Sequence, residues 1–159
     1  MADVITRTAY TIYTAVNNYN AGTTEVSEGD TLITMIWMKG GAFVSGVDDG
    51  TSLFYSFSGN GINSADFSSG ALIGSGELDS TGLLSLSHTL ANDELMEGDE
   101  NLNIKIFSDS ARTIQVSDTT TILVKDVLKN PTYTIDTSHS TIQEGETLTT
   151  SISTTMVPT

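Results

Sequence analysis

Apolar residues recur at every second position along much of this chain. Residues 84–90 read Leu-Ser-Leu-Ser-His-Thr-Leu, and residues 101–106 read Asn-Leu-Asn-Ile-Lys-Ile. Successive side chains of a β-strand point to opposite faces, so this period of two indicates strands that are buried on one face. Further strands are predicted over residues 8–16, 31–38, 52–57, 112–116 and 120–125. Many short strands at this spacing predict an all-β domain made of two packed antiparallel sheets.

The apolar stripes of these strands define the expected core. The residues predicted to face it together are Leu84, Leu86, Leu102, Ile104, Ile106, Ile122 and Val124. His88 continues one stripe, so we expect a strand residue at the sheet margin and not a metal ligand or a base. Trp37 belongs to a strand that is apolar on both faces, and it faces either the core or a partner.

A partial internal repeat divides the chain. Glu-Gly-Asp-Thr-Leu at residues 28–32 recurs as Glu-Gly-Glu-Thr-Leu at 144–148, and Tyr-Thr-Ile precedes each copy at 10–12 and 133–135. The spacing is longer in the first copy, which therefore carries an insertion around residues 17–23. An isolated first strand pair cannot bury its apolar face alone. The second copy is thus either the start of a tandem array or a piece that completes a neighbouring molecule.

These features predict three parts of the chain. They are an N-terminal arm and first strand with the insertion over residues 1–23, a sandwich domain over 24–129, and the beginning of a second, incomplete repeat over 130–159.

Composition narrows the possible functions. The 159 residues include 20 Asp and Glu against 6 Lys and Arg, a net charge of -14, which argues against nucleic-acid binding. With no Cys and 2 His, thiol chemistry and multi-histidine sites have almost nothing to be built from. We recognise no Sec-type signal peptide and no apolar run long enough to cross a bilayer. The chain is therefore expected to be non-enzymatic, without membrane insertion.

Acidic residues cluster beside predicted strand ends. Glu28 and Asp30 open one strand, Asp66 follows a Gly/Asn loop, a dense run occupies residues 92–100, and Asp126 ends a strand. The loops of a β-sandwich gather at its two poles, so these carboxylates are expected to converge. Converging carboxylates repel one another unless a cation is present, and hard oxygen ligands suit Ca²⁺.

The acidic run belongs to an ordered set of motifs. Glu28-Gly29 comes first, then Gly50-Thr51, then Asp66-Phe67, then Asn-Asp-Glu-Leu-Met-Glu-Gly-Asp-Glu at residues 92–100, and finally a strand ending at Asp126. Over residues 24–126 this order resembles the Calx-β domain, of the type seen in large repeat proteins of marine cyanobacteria and their phages. The resemblance implies a Greek-key, immunoglobulin-like antiparallel β-sandwich, often in tandem, with a Ca²⁺ cluster at one pole in some members.

Carried over position by position, the resemblance implies a weak Ca²⁺ site. Its candidate ligands are Glu28, Asp66, Asp93, Glu97 and Asp126. Two positions depart from the calcium-binding pattern: Asn92 replaces an acidic residue, and Val127 follows Asp126 where binding members continue with Asp. Fewer carboxylates mean weaker binding or none. The alternative is a solvated acidic surface with turn and capping roles.

The resemblance favours a structural function. We expect an attachment module of a virion, such as a phage fibre, neck or capsid-decoration protein, that anchors through its N-terminal part and projects further β-sandwich repeats. The residues expected to contact other virion proteins are Val4, Ile5, Tyr10, Ile12 and Tyr13, because this arm is apolar and strand-prone. In the particle the protein would be oligomeric, and later repeats would contact the host-cell surface.

Two alternatives remain. One is a repeat of a calcium-dependent, secreted adhesin on the bacterial cell surface. The other is a Ca²⁺-sensing regulatory module of a larger protein, for which the thinned acidic cluster is poor support.

Overall fold

Strands account for nearly all regular structure in the described residues. The computed structural model describes residues 10–17, 22–39, 50–93, 97–127 and 132–154. In these ranges the strands are β1 (Tyr10–Val16), β2 (Glu25–Ser27), β3 (Thr31–Met38), β4 (Ser52–Ser58), β5 (Phe67–Ser69), β6 (Ile73–Glu77), β7 (Leu83–Leu90), β8 (Glu100–Phe107), β9 (Thr120–Lys125), β10 (Tyr133–Thr137) and β11 (Thr150–Thr154). A 3-10 turn spans Ser64–Asp66. Within the same ranges, no helix is long and apolar enough to cross a membrane.

The chain forms two compact units. The first contains a four-stranded sheet of order β1-β3-β7-β5 and a five-stranded sheet of order β2-β9-β8-β4-β6, and the second contains the β10–β11 hairpin. Neighbouring strands are antiparallel, except for the parallel pair β2–β9. The first unit is thus the predicted immunoglobulin-like β-sandwich. Its first strand, β1, is an edge strand of the four-stranded sheet.

The predicted core is confirmed. Alternate residues of β3 and β8 are fully buried, as shown by the 0% exposure of Leu32, Ile36, Leu102, Ile104 and Ile106. Leu84, Ile122 and Val124 are also buried, and half-buried Leu86 packs against the same cluster. Burial of one full apolar side chain stabilises a fold by about 1.5–3 kcal/mol, so these stripes hold the two sheets together.

His88 lies at the centre of the core, so its predicted place at the sheet margin is wrong. Its side chain is only 2% exposed, and its ring centroid is 4.1 Å from that of Phe57 on the opposite sheet. The Nε2 atom is 3.0 Å from Ala71 O. This hydrogen bond and the surrounding aromatic rings stabilise the ring in the leucine stripe, whereas its Nδ1 atom is buried without a hydrogen-bond partner among the described residues.

The strand predicted over residues 112–116 is also wrong. Asp109 accepts hydrogen bonds from the N–H groups of Thr113 (3.0 Å) and Ile114 (2.7 Å), which folds the chain into a turn. Arg112 has a φ of +56°, a conformation that a strand does not contain. The predicted strand is therefore a loop, with isolated β-bridges at Gln115 and Ser117.

The short strands β2, β5 and β6 were not predicted, and β6 shows why. It reads Ile-Gly-Ser-Gly-Glu and has no apolar alternation. A Cβ on Gly74 would overlap the Tyr55 hydroxyl oxygen, and one on Gly76 would lie 2.5 Å from Leu84 Cδ1. Glycine is required because large side chains of neighbouring strands fill the space beside β6.

Trp37 lies on the outer face of the four-stranded sheet. Its neighbour Ile36 points into the core, so Trp37 points away from it. The indole is half-buried, and its ring centroid lies 4.8 Å from that of Tyr13 on β1. Trp37 therefore lies outside the core, which is one of the two positions predicted for it.

Candidate metal centre

The β2–β3 turn brings Glu28 to one pole of the sandwich. Gly29 has a φ of +81°, which glycine adopts without strain, and this allows the tight reversal. The Glu28 N–H donates to Lys125 O at the end of β9 (3.1 Å), and the Leu90 N–H at the end of β7 donates to Asp30 O (2.9 Å). The turn therefore lies between the ends of two strands, one from each sheet.

Two further hydrogen bonds bring the other acidic segments to the same pole. The Ala91 N–H, directly after β7, donates to Asp66 O (2.8 Å). The Gly98 N–H, before β8, donates to Asp126 Oδ2 after β9 (2.9 Å). The predicted ligands thus belong to segments that meet at one pole, as expected for sandwich loops.

Two predicted ligands of the first unit come close together. Glu28 and Asp93 each offer a carboxylate oxygen, and these oxygens lie within 4.8 Å of each other; Glu28 is half-buried and Asp93 is exposed. Glu97 is exposed and belongs to the second unit. Two oxygens bound to one Ca²⁺ at about 2.4 Å are at most about 5 Å apart, so this spacing is compatible with a shared ion. Carboxylates this close repel one another when no cation lies between them.

Asp126 adds an oxygen that has no hydrogen-bond partner in the part of the chain that the structure describes. Its Oδ2 accepts the Gly98 hydrogen bond, whereas its Oδ1 is buried without a hydrogen-bond partner among the described residues. Leaving a buried polar atom unsatisfied costs about 1–3 kcal/mol, and more for a charged group. Such an atom is usually paired with a donor, a water or an ion, so the Asp126 carboxylate fits a cation at this pole.

Asp66 does not join Glu28 and Asp93, because its carboxylate caps the 3-10 turn. The Asn63 N–H donates to Asp66 Oδ2 (2.6 Å), and the Asn63 side-chain amide donates to Asp66 Oδ1 (3.3 Å). Both oxygens of Asp66 are therefore engaged in a capping box. The sequence carries a signal for this role, since Asn63 and Asp66 have capping-box spacing.

Lys125 and Asp99 form an ion pair at this pole that the sequence reasoning missed. Lys125 Nζ lies 2.6 Å from Asp99 Oδ2, and both side chains are partly exposed. The hydrogen bond from Lys125 lowers the pKa of Asp99 below its ordinary value, and the same bond raises the pKa of Lys125. Asp99 therefore engages this lysine. The sequence signal for a role of Asp99 at this pole was its position within the Glu-Gly-Asp-Glu run.

The predicted partner-binding residues divide into three groups. Val4 and Ile5 lie outside the described residues. Tyr10 is 7% exposed in the core, and Ile12 packs against that core. Tyr13 is 40% exposed beside Trp37 on the outer face of the sheet. Among the described members of the set, only Tyr13 offers its side chain to a partner.

No family model and no curated protein matches the sequence. Among solved structures, the chain is similar to one described as the apo form of the Calx CBD1 domain, with 17% sequence identity and a TM-score of 0.48. The match covers 73% of this chain and 97% of that chain.

Proposed function

We propose that this chain is a non-enzymatic structural module whose acidic pole binds Ca²⁺ weakly. The observation that best supports this is the approach of the Glu28 and Asp93 carboxylates to within 4.8 Å, at the pole where Asp126 Oδ1 is buried and accepts no hydrogen bond from the described part of the chain. Ca²⁺ takes six to eight oxygen ligands, including carboxylates, backbone carbonyls and waters.

Weak affinity follows from how the other acidic residues are used. Asp66 caps a turn and Asp99 pairs with Lys125, so neither carboxylate is available without breaking these bonds. Asn92 supplies no charge, and Val127 follows Asp126. Sites with few charged ligands bind Ca²⁺ with Kd values of about 10⁻⁴–10⁻³ M.

Thermal unfolding with Ca²⁺ or with a chelator tests this proposal. With a Kd of about 1 mM, 10 mM Ca²⁺ stabilises the native state by about 1.4 kcal/mol, since it binds only the folded form. We expect Asp93→Asn to remove the shift in Tm.

Glu77→Gln is the matched control, because it removes the same charge at a different place. Glu77 pairs with Ser52 at the start of β4, at the end of the strand away from the acidic pole. Equal melting temperatures with chelator and with Ca²⁺ in the unmodified protein would leave the acidic pole as surface charge.

We propose further that the module attaches to a virion through its N-terminal part and contacts other virion proteins there. Support comes from Tyr13 and Trp37, which place aromatic surface on the outer face of the four-stranded sheet. Aromatic side chains are enriched in partner-binding surfaces. The alternative remains an adhesin repeat at the bacterial cell surface.

Deletion of residues 1–9 separates attachment from folding. Strands β1 to β9 are all retained, so the sandwich should fold and melt cooperatively, while incorporation into particles should be lost. Tyr13→Ser provides a second variant with the N-terminal segment intact. Normal assembly of both variants would refute attachment through this region, and recovery of the full chain on bacterial cells would favour the adhesin.

A further inference from the structure

The loop between β4 and β5 contains an Asn-Gly pair, Asn60 and Gly61, that takes no part in the acidic site or the aromatic surface. Both residues are exposed. Within the part of the chain that the structure describes, neither the Asn60 side chain nor the Gly61 N–H forms a hydrogen bond. These two groups are neighbours along the chain, and both are accessible to water.

The two groups can react with each other to close a five-membered ring. The Gly61 nitrogen becomes a nucleophile when it loses its proton, and it attacks the side-chain carbonyl carbon of Asn60. The new N–Cγ bond replaces the Cγ–Nδ2 bond, and Nδ2 leaves as ammonia with the proton that the nitrogen lost. Water then opens this succinimide at either carbonyl carbon, which yields aspartate or isoaspartate. Water is the only co-reactant.

Glycine at position 61 favours this attack. It has no side chain to shield its nitrogen, and its φ of +89° is a conformation that glycine adopts without strain. A Cβ at this position would also overlap Glu100 Oε1, at the start of β8. The backbone and the neighbouring strand therefore both require glycine after Asn60, and glycine hinders the attacking nitrogen least.

Asn63 shows how the same loop holds another asparagine in place. Its successor, Ser64, is also small. Asn63 Oδ1 accepts a hydrogen bond from the Ala65 N–H (2.9 Å), and Asn63 Nδ2 donates to Gly61 O (3.0 Å) and to Asp66 Oδ1 (3.3 Å). Attack on Asn63 Cγ requires the side chain to leave these bonds, so the cap of the 3-10 turn protects Asn63.

We propose that Asn60 is a site of spontaneous modification, at which the folded protein forms aspartate and isoaspartate while Asn63 stays intact. The modified chain carries a net charge one unit more negative than -14. The added carboxylate belongs to the loop that contacts Glu100. This inference depends neither on Ca²⁺ binding nor on attachment to a partner.

Isoaspartate also lengthens the backbone of a closely packed loop. The main chain then runs through Cβ and Cγ of residue 60, which inserts one carbon atom. Before this position, a Cβ on Gly59 would overlap Asn101 O; after it, Ile62 packs against the core. Because both flanking residues are held in place, the isoaspartate form should be less stable than a form with the same charge and a normal backbone.

Incubation at pH 8 tests the proposal, with the folded chain compared with the chain unfolded in guanidinium chloride. Ion-exchange chromatography measures the added charge, and peptide mass spectrometry locates it. Unfolding should change the rate at Asn60 by less than about tenfold, whereas Asn63 should react more than about tenfold more slowly when folded, because its hydrogen bonds must open first. Asp66→Ala removes one partner of Asn63 and should accelerate its modification in the folded chain. Asn60→Gln should prevent the charge change.

Asn60→Asp separates the added charge from the longer backbone. We expect the purified isoaspartate form to have a lower urea midpoint than Asn60→Asp, and equal midpoints would overturn the argument from loop packing. Folding that slows the reaction at Asn60 by more than about tenfold would overturn the proposal, since the loop would then protect Asn60 as well. Equal rates at Asn60 and Asn63 in the folded chain would also overturn it.

Discussion

Acidification from pH 7 to pH 5 should destabilise the sandwich through His88. Its ring is enclosed by Tyr55, Phe57 and Phe67, with centroid distances of 5.4, 4.1 and 5.9 Å. Burial lowers the pKa of His88 below its ordinary value of 6.5, and the hydrogen bond to Ala71 O only partly opposes this. The folded state therefore keeps the ring neutral where the unfolded chain binds a proton.

The sign and size follow from proton linkage. Since the unfolded state binds more protons below pH 6.5, the free energy of unfolding is fully retained above that pH and falls as the pH decreases through it. Each pH unit costs at most about 1.4 kcal/mol, so the loss between pH 6.5 and pH 5 is at most about 2 kcal/mol. Hydrogen bonds lower the pKa of several carboxyl groups from 3.8, so these groups stay ionised throughout this range: Asp79, Asp99 and Asp109.

Urea unfolding at pH 7, 6 and 5 measures the effect. His88→Leu has a similar volume and no titrating group, so its free energy of unfolding should change much less between pH 7 and pH 5, whatever its value at pH 7. His139→Leu is the control, because His139 is exposed on the second unit and its removal should leave the slope unchanged. An identical slope in the unmodified chain and in His88→Leu would refute this reasoning.

Two further substitutions test the packing of the sandwich. Ile104→Asp places a charge at a position with 0% exposure and should cost about 3–5 kcal/mol in urea unfolding; an unchanged midpoint would contradict the position of β8. Arg112 donates to Tyr55 O and Gly74 O, both at 3.0 Å, so Arg112→Ala should cost about 1–2 kcal/mol and accelerate hydrogen exchange in β6 more than in β8. Recovery of full stability by Arg112→Lys would show that charge matters there and not the two-pronged hydrogen bonding.

Strands with uninterrupted alternation were predictable. The predicted strands over residues 84–90 and 101–106 agree with β7 and β8 to within one residue at each end, because a period of two specifies the buried face wherever one side packs on a core. The prediction over residues 112–116 failed because the Asp109 side chain satisfies two N–H groups that a strand would have paired elsewhere. Strand β6 was missed because its two glycines carry no apolar pattern; they leave space for Tyr55 and Leu84, which belong to other strands.

The acidic pole was predictable as a location and less so in its details. Motif order placed Glu28 and Asp93 in loops of one pole, and their oxygens lie within 4.8 Å of each other. Whether a carboxylate can bind a cation also depends on its local hydrogen bonds. Asp66 shows this, because its carboxylate caps the 3-10 turn. The ion pair of Asp99 with Lys125 joins two loops, and its geometry follows only from the packing of β8 beside β9.

The two copies of the repeat separate the effect of sequence from that of packing. The same Tyr-Thr-Ile and Glu-Gly motifs produce the same register and turn in both, so these features are local. Burial differs completely: Ile36 is 0% exposed and Ile152 is 68% exposed. Alternation therefore specifies which face of a strand is apolar, whereas the sheet packed against that face determines whether it is buried. The hydrophobic contribution to folding stability scales with the apolar area removed from water. The apolar residues of the first copy therefore stabilise it only because the second sheet covers them.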